Sequence, residues 1–144
     1  KETMDYAVTF AETGHLCLAT LHANNAHQTL DRMVNMFPEE MHKQLLMDLA
    51  INMRAIISQR LVRTIDGNRT AAIEVMINTP HIADLILAGR LDEVSEAMKA
   101  SSEAGMQSFD ESLYKHVQAG TITKDEALRN ADSRANLEAK FNFG

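Results

Sequence analysis

The residues best placed for chemistry follow an apolar run. Leu16-Cys17-Leu18-Ala19-Thr20-Leu21 leads into a polar group made of Thr20, His22, Asn24 and Asn25. The run does not alternate, which predicts a central strand of a parallel sheet with helices over both faces. Open α/β sheets bind ligands beyond the carboxyl ends of their strands. An imidazole at that end is placed to meet a ligand, although on the residues alone the plainer reading is that His22 begins a loop.

Other chemistries find less support. His15 and His22 are an odd number of residues apart, so one regular strand points them to opposite faces. No cysteine or carboxylate completes a metal-ligand set at either one, and no metal is expected. Cys17 reads as core rather than nucleophile, being set in an apolar run. No Gly-x-x-x-x-Gly-Lys-Ser/Thr loop occurs, and no nucleophile triad signature is present. His27, His42, His81 and His116 read as exposed helix positions.

Regular elements must position these residues. Glu2 to Glu12 reads as a helix with Met4, Val8 and Ala11 on one face, stopped at Gly14. Asn25 reads as an N-cap with Gln28 as its capping-box partner, opening a helix through Leu30, Met33 and Phe37. Pro38 ends that helix and starts another, in which Met41, Leu45, Leu49 and Met53 recur every fourth residue. Arg54 to Thr64 and Ala71 to Ile77 read as an antiparallel hairpin turning at Asp66-Gly67. Ala71, Ile73, Val75 and Ile77 read as its buried set. Glu74 interrupts that strand, either facing solvent or paired with an arginine.

From Thr79-Pro80 onward the pattern is helical. Gly89 and Gly120 read as stops, and Thr123-Lys124-Asp125-Glu126 as a capping box. The last dozen residues are expected to fray. The organisation is thus an α/β portion over 1–78 and a helical portion over 79–144.

Composition bounds the rest. The chain has 144 residues, one cysteine and a net charge of −6. That length can bury a core without staples, and no disulfide can form within the chain. An acidic chain lacks the broad positive field typical of nucleic-acid binding. The cluster Arg54, Arg60, Arg63 and Arg69 reads as a solvated face. No apolar run approaches the ~20 residues of a membrane-spanning helix, and no signal peptide is visible. The nine methionines fall mainly at helical core spacing.

Thr13-Gly14-His15-Leu16, followed by Thr20-Leu21-His22, resembles the histidine box of the secretion and pilus motor ATPases. Glu2-Thr3 resembles the tail of that family's Walker B segment. Ile57-Ser58-Gln59-Arg60-Leu61-Val62 resembles the strand after the histidine box. Gly105-Met106-Gln107-Ser108-Phe109-Asp110 resembles the Gly-Met-Gln motif of its helical C-terminal part. The resemblance covers essentially the whole chain.

The extension and type II secretion branches usually insert a four-cysteine metal-binding element, and Cys17 stands alone here. The chain therefore resembles the type IV pilus retraction ATPases. The principal retraction motors carry Ala-Ile-Arg-Asn-Leu-Ile-Arg-Glu after the Thr-Pro pair. Here that stretch is His81-Ile82-Ala83-Asp84-Leu85-Ile86-Leu87-Ala88, without both arginines and the glutamate. With Ala11-Glu12-Thr13 and Arg60-Leu61-Val62-Arg63, this is more similar to the accessory retraction branch.

The resemblance implies the C-terminal part of a RecA-like P-loop ATPase domain followed by a helical subdomain. It implies a homo-hexamer using ATP and Mg2+ at the cytoplasmic face of the inner membrane, with only peripheral membrane association. Its partners would be the other retraction ATPase and the pilus platform protein. The chain begins at Lys1 rather than methionine, and the phosphate loop is expected upstream. The chain alone is expected to bind no cofactor and to be inactive. The resemblance implies that His22, with Thr20, lies near the γ-phosphate, and that Thr13, Gly14 and His15 support the box. The competing expectation is a non-catalytic helical interaction module of a pilus or secretion assembly. A sheet edge left bare in such a chain can pair with another copy.

Overall fold

The structure is a computed structural model, and it describes residues 2–143. Eight α-helices and one hairpin follow in order among these residues: α1 Glu2–Glu12, α2 Ala26–Asn35, α3 His42–Asn52, β1 Ala55–Arg63, β2 Arg69–Ile77, α4 Pro80–Leu87, α5 Val94–Ala100, α6 Phe109–Gln118, α7 Lys124–Asn130 and α8 Arg134–Phe143. Short 3-10 turns, Glu39–Met41 and Leu91–Glu93, lead into α3 and α5.

Local signals fix most of these boundaries. The side chains of Asn25, Thr79, Ser108 and Thr123 each accept an amide three residues on, capping α2, α4, α6 and α7. Pro80 occupies the first turn of α4, where its missing N–H costs nothing. The capping boxes are not reciprocal, however. Gln28 Oε1 accepts the Asn24 amide at 3.3 Å rather than that of Asn25. Glu126 turns to β1 and accepts the Arg63 amide at 2.9 Å.

β1 and β2 pair antiparallel from Ala55↔Ile77 to Arg63↔Arg69. The turn spans five residues, Thr64 to Asn68, with Gly67 at a φ of 84°. Asp66 accepts bonds from Thr64 and Asn68 side chains, and these hold its carboxyl below the ordinary range.

The hairpin's fully buried face differs from the expected one. Ala72, Glu74 and Met76 are buried, whereas Ala71, Ile73, Val75 and Ile77 are only half-buried. Both faces of β2 are covered, so hydrophobicity on the odd positions did not identify the deeper one. Met76 and Ile56 join a first apolar cluster with Leu30, Leu49, Ile82, Ile86 and Val94. Val62 and Ala72 join a second with Phe109, Leu113, Ile122, Leu128 and Leu137. The hairpin is thus the wall shared by both clusters.

The strand expected over Leu16–Leu21 is not formed. Residues 15–23 carry no regular structure, and Leu16 and Leu18 are 80% and 89% exposed. It pairs with neither β1 nor β2, which make up the sheet among the described residues. Cys17, expected in the core, is half-buried on this segment.

The outer edge of β2 is covered over most of its length, while that of β1 is bare over its middle. Ile73 and Val75 direct their amides away from β1, to Ser112 and Gln107. Their register partners Gln59 and Ile57 must therefore face outward too. The side chains of Ile57 and Leu61, on the same strand, are 71% and 60% exposed.

The described C-terminal residues form α8 rather than fraying. Leu137 of α8 is 1% exposed in the second cluster, and Phe141 stacks on Tyr114 at 5.3 Å. Asp110 accepts the Asp132 and Ser133 amides at 2.7 and 3.0 Å, holding the start of α8.

Two outcomes are expected. Leu137→Ala should lower unfolding stability by about 3 kcal/mol, the scale for emptying a buried leucine site. Phe143→Ala, at an exposed ring, should change it by under about 0.5 kcal/mol. Urea denaturation of both variants checks this. Ile57→Lys should suppress self-association of the chain without changing its melting temperature by more than a few degrees, because a lysine on a bare edge discourages pairing. Light scattering over a concentration series is the measurement.

Candidate functional site

The expected site residues fall into two groups. Thr13, Gly14 and His15 close α1. Gly14 has a φ of 86°, its amide donates to Ala11 O at 3.0 Å, and the His15 amide donates to Phe10 O at 3.0 Å. This paired pattern is the Schellman stop, and its usual apolar contact is present as the His15 ring packs edge-on against Phe10 at 5.8 Å. The Thr13 hydroxyl donates to Phe10 O at 2.9 Å and lies 3.1 Å from His15 Nδ1.

Thr20 and His22 lie on the extended segment beyond. Both are exposed, and among the described residues neither side chain makes a hydrogen bond or ion pair. They are not brought into contact with Thr13 or His15. The chain just after His22 is better anchored. The Ala23 amide donates to Leu21 O at 3.1 Å, and Asn25 Oδ1 accepts the Gln28 amide at 2.8 Å. The Ala26 amide, first in α2, donates to Glu74 Oε1 at 2.8 Å.

Glu74 is the polar residue that the sequence left open. It is 5% exposed, and burial raises its carboxyl above the ordinary range. The Ala26 amide and Arg60 oppose that shift, while Asp132 adds to it. It shares the buried face of β2 with Ala72 and Met76. Ser58 stands across from it with its Oγ buried, and acts with the Ala26 amide against that shift.

The arginine cluster divides. Arg54, Arg63 and Arg69 are exposed, but Arg60 is not part of a solvated face. It pairs with Asp132 at 2.6 Å, donates to Asn130 O at 3.1 Å, and lies 3.9 Å over the Phe109 ring. Three of the histidines expected on exposed helix faces are tethered. His27 Nδ1 donates to Leu91 O at 2.8 Å, His42 Nε2 to Phe37 O at 2.9 Å, and His116 Nε2 to Ala71 O at 3.0 Å. His81 is exposed.

Among the described residues, no three His, Cys, Asp or Glu side chains are grouped to hold a metal. A shallow cleft between α1 and α3 is lined by Asp5, Glu12, Phe37, Met41 and Asp48, and another by Lys99, Asp110, Asn136 and Lys140. Neither includes Thr20 or His22. No described helix is long and apolar enough to cross a membrane.

Known proteins resemble this chain in sequence and fold. PilU, the type IV pilus ATPase of Pseudomonas aeruginosa, is 53% identical over the whole chain, which spans 38% of PilU. The type IV pilus retraction ATPase PilT of the same organism is 38% identical over 94% of the chain, which spans 40% of it. The crystal structure of the pilus retraction motor PilT with bound ADP matches 95% of the chain with a TM-score of 0.82 and 36% identity, over 38% of its own length. The ATPase DotB of Legionella pneumophila matches 88% of the chain with a TM-score of 0.73 and 28% identity, over 34% of its own length. The chain therefore spans about two-fifths of these relatives or less, and its α/β fold is that of the C-terminal part of a secretion ATPase domain. The family model for type II/IV secretion system proteins matches residues 1–115, from α1 into α6, and the chain belongs to that family.

Proposed function

We propose that this chain is the C-terminal part of a hexameric ATP-hydrolysing motor that drives type IV pilus retraction, of the accessory kind. The observation that carries this reading is the similarity to PilU, which runs the whole length of the chain and exceeds that to PilT, 53% against 38%. It agrees with the altered stretch His81–Ala88. Residues 1–78 are assigned to the ATPase core and 79–144 to a helical subdomain. The motor works at the cytoplasmic face of the inner membrane, against the pilus platform protein and beside a second retraction ATPase.

In this reading His22 lies near the γ-phosphate of ATP, with Thr20 beside it, and Thr13-Gly14-His15 sets where the segment leaves α1. Phosphoryl transfer is mostly positioning and charge stabilisation. A histidine at this point would orient the terminal phosphate or donate to charge that develops on it. The described residues do not fit Mg2+ by themselves, since no three suitable ligands are grouped. The phosphate loop is assigned to sequence outside this chain.

The purified chain alone should release no phosphate from ATP above the rate of the same chain carrying His22→Ala. Clear turnover by the unaltered chain contradicts the assignment of the phosphate loop elsewhere. In the longer protein, His22→Ala should lower kcat on the order of a hundredfold, with nucleotide affinity and assembly largely kept. The control is His81→Ala. His27 is unsuitable, because its ring is tied to Leu91 O and sits 3.2 Å from Asp31. Steady-state ATPase and separate nucleotide-binding measurements decide the matter. Wild-type turnover after His22→Ala removes the site from this segment. A longer protein without any ATPase activity favours the interaction module.

A further inference from the structure

We propose that Glu74 is the positioning residue that fixes the segment bearing His22. This rests on the reading of His22 as the residue near the γ-phosphate. His22 itself has no side-chain partner among the described residues, so its place depends on where its backbone is tied down. On its far side, Ala23 bonds only to Leu21, two residues back. The Asn24 amide reaches Gln28 Oε1 at 3.3 Å, an exposed contact within the same turn. The first long-range hydrogen bond after His22 is the one from the Ala26 amide to Glu74 Oε1, 48 positions along the chain, and it is buried.

Glu74 is suited to hold such a bond. Its strand is clamped on both sides, by pairing with β1 and by the outer-edge bonds of Ile73 and Val75 to Ser112 and Gln107. Glu74 thus projects from one of the most constrained backbones in the chain. The amide it receives is a free N–H at the start of α2, where a negative charge is also favoured by the helix dipole.

The placement has a cost that a simple packing role does not explain. Burying a carboxylate is unfavourable unless it is paired or well bonded. Arg60, whose charge acts on Glu74, is already engaged by Asp132 at 2.6 Å. A leucine there would fill the site without that penalty. Retaining an acceptor at this depth is sensible if the Ala26 amide must be held in one place.

The test compares Glu74→Leu with Glu74→Gln. Glutamine keeps an acceptor oxygen in nearly the same volume, and leucine removes it. In the 144-residue chain, amide hydrogen exchange is followed by NMR. Glu74→Leu should raise exchange at Ala26 by about tenfold or more, in keeping with a lost buried hydrogen bond. It should also shift the His22 and Ala23 amide resonances, while protection at Leu113 in α6 stays unchanged. Glu74→Gln should restore most of the protection at Ala26. In the longer protein, Glu74→Leu should lower kcat about tenfold with KM within about twofold, and Glu74→Gln should recover within about threefold of wild type. Equal loss of protection at Ala26 and Leu113 overturns the proposal, because Glu74 would then be general fold support. So does a Glu74→Gln variant as impaired as Glu74→Leu. His22→Ala is run alongside. If it lowers kcat and Glu74→Leu does not, the positioning role alone fails. If His22→Ala is also silent, the site reading has failed and the proposal falls with it.

Discussion

The structure depends on how the outer edge of β2 is satisfied. A two-stranded hairpin is marginal in water and needs a further partner. No third strand among the described residues supplies one. Instead the edge is closed by an assortment of groups. Gln107 exchanges backbone bonds with Val75 at 2.8 and 3.0 Å, and its side-chain amide donates to Ile73 O at 2.7 Å. Ser112 Oγ accepts the Ile73 amide at 2.9 Å, His116 donates to Ala71 O, and Met106 sulfur lies 3.3 Å from the Ile77 amide. These groups come from α6 and the Gly-Met-Gln stretch before it. That motif therefore has a structural reason: it turns a sheet edge into an interface with a helix, and both apolar clusters are built on the wall so made.

Between the two clusters the hairpin carries a polar layer. Ser58 and Glu74 face each other at its middle, with Ile56 and Met76 below them and Val62 and Ala72 above. Arg60, next on β1, reaches α8's leading residues through Asp132 while its guanidinium covers Phe109. The layer makes stability depend on pH in a definite direction. Because burial raises the folded carboxyl of Glu74, the native chain binds a proton there more readily than the unfolded one. That contribution is greatest below the ordinary carboxylate range and declines as pH rises through the raised value. Most paired carboxylates act in the opposite sense.

Much of this was legible in the sequence. The caps at Asn25, Thr79 and Thr123, the stop at Gly14 and the hairpin are short-range devices whose partners lie within a few residues, so residue types and spacing suffice. The family was legible as well, from Thr13-Gly14-His15-Leu16 and from Gly105 to Asp110. What failed was long-range. The tether of His27 to Leu91, the turn of Glu126 toward Arg63 and the inward aim of Glu74 each join residues more than 40 positions apart. Leu137 gave no periodic signal in a short terminal stretch, and only the groove beside α6 explains its burial.

The segment from His15 to Ala23 shows the same distinction at the proposed site. Its composition is that of a strand, and its ends are held as a strand's ends would be, by the stop of α1 and the cap of α2. Its middle is nevertheless unpaired, with Leu16 and Leu18 in solvent. Apolar residues on both faces of a segment are an instruction to be sandwiched, and they cannot be obeyed without neighbours on both edges. The local devices fix where the segment starts and where it stops. The bare middle of β1, with Ile57 and Leu61 exposed beside outward-facing amides, makes the same demand. Two strand-forming stretches with unmet edges, in a chain spanning about two-fifths of its relatives, are the surfaces on which further strands of such a domain would pair.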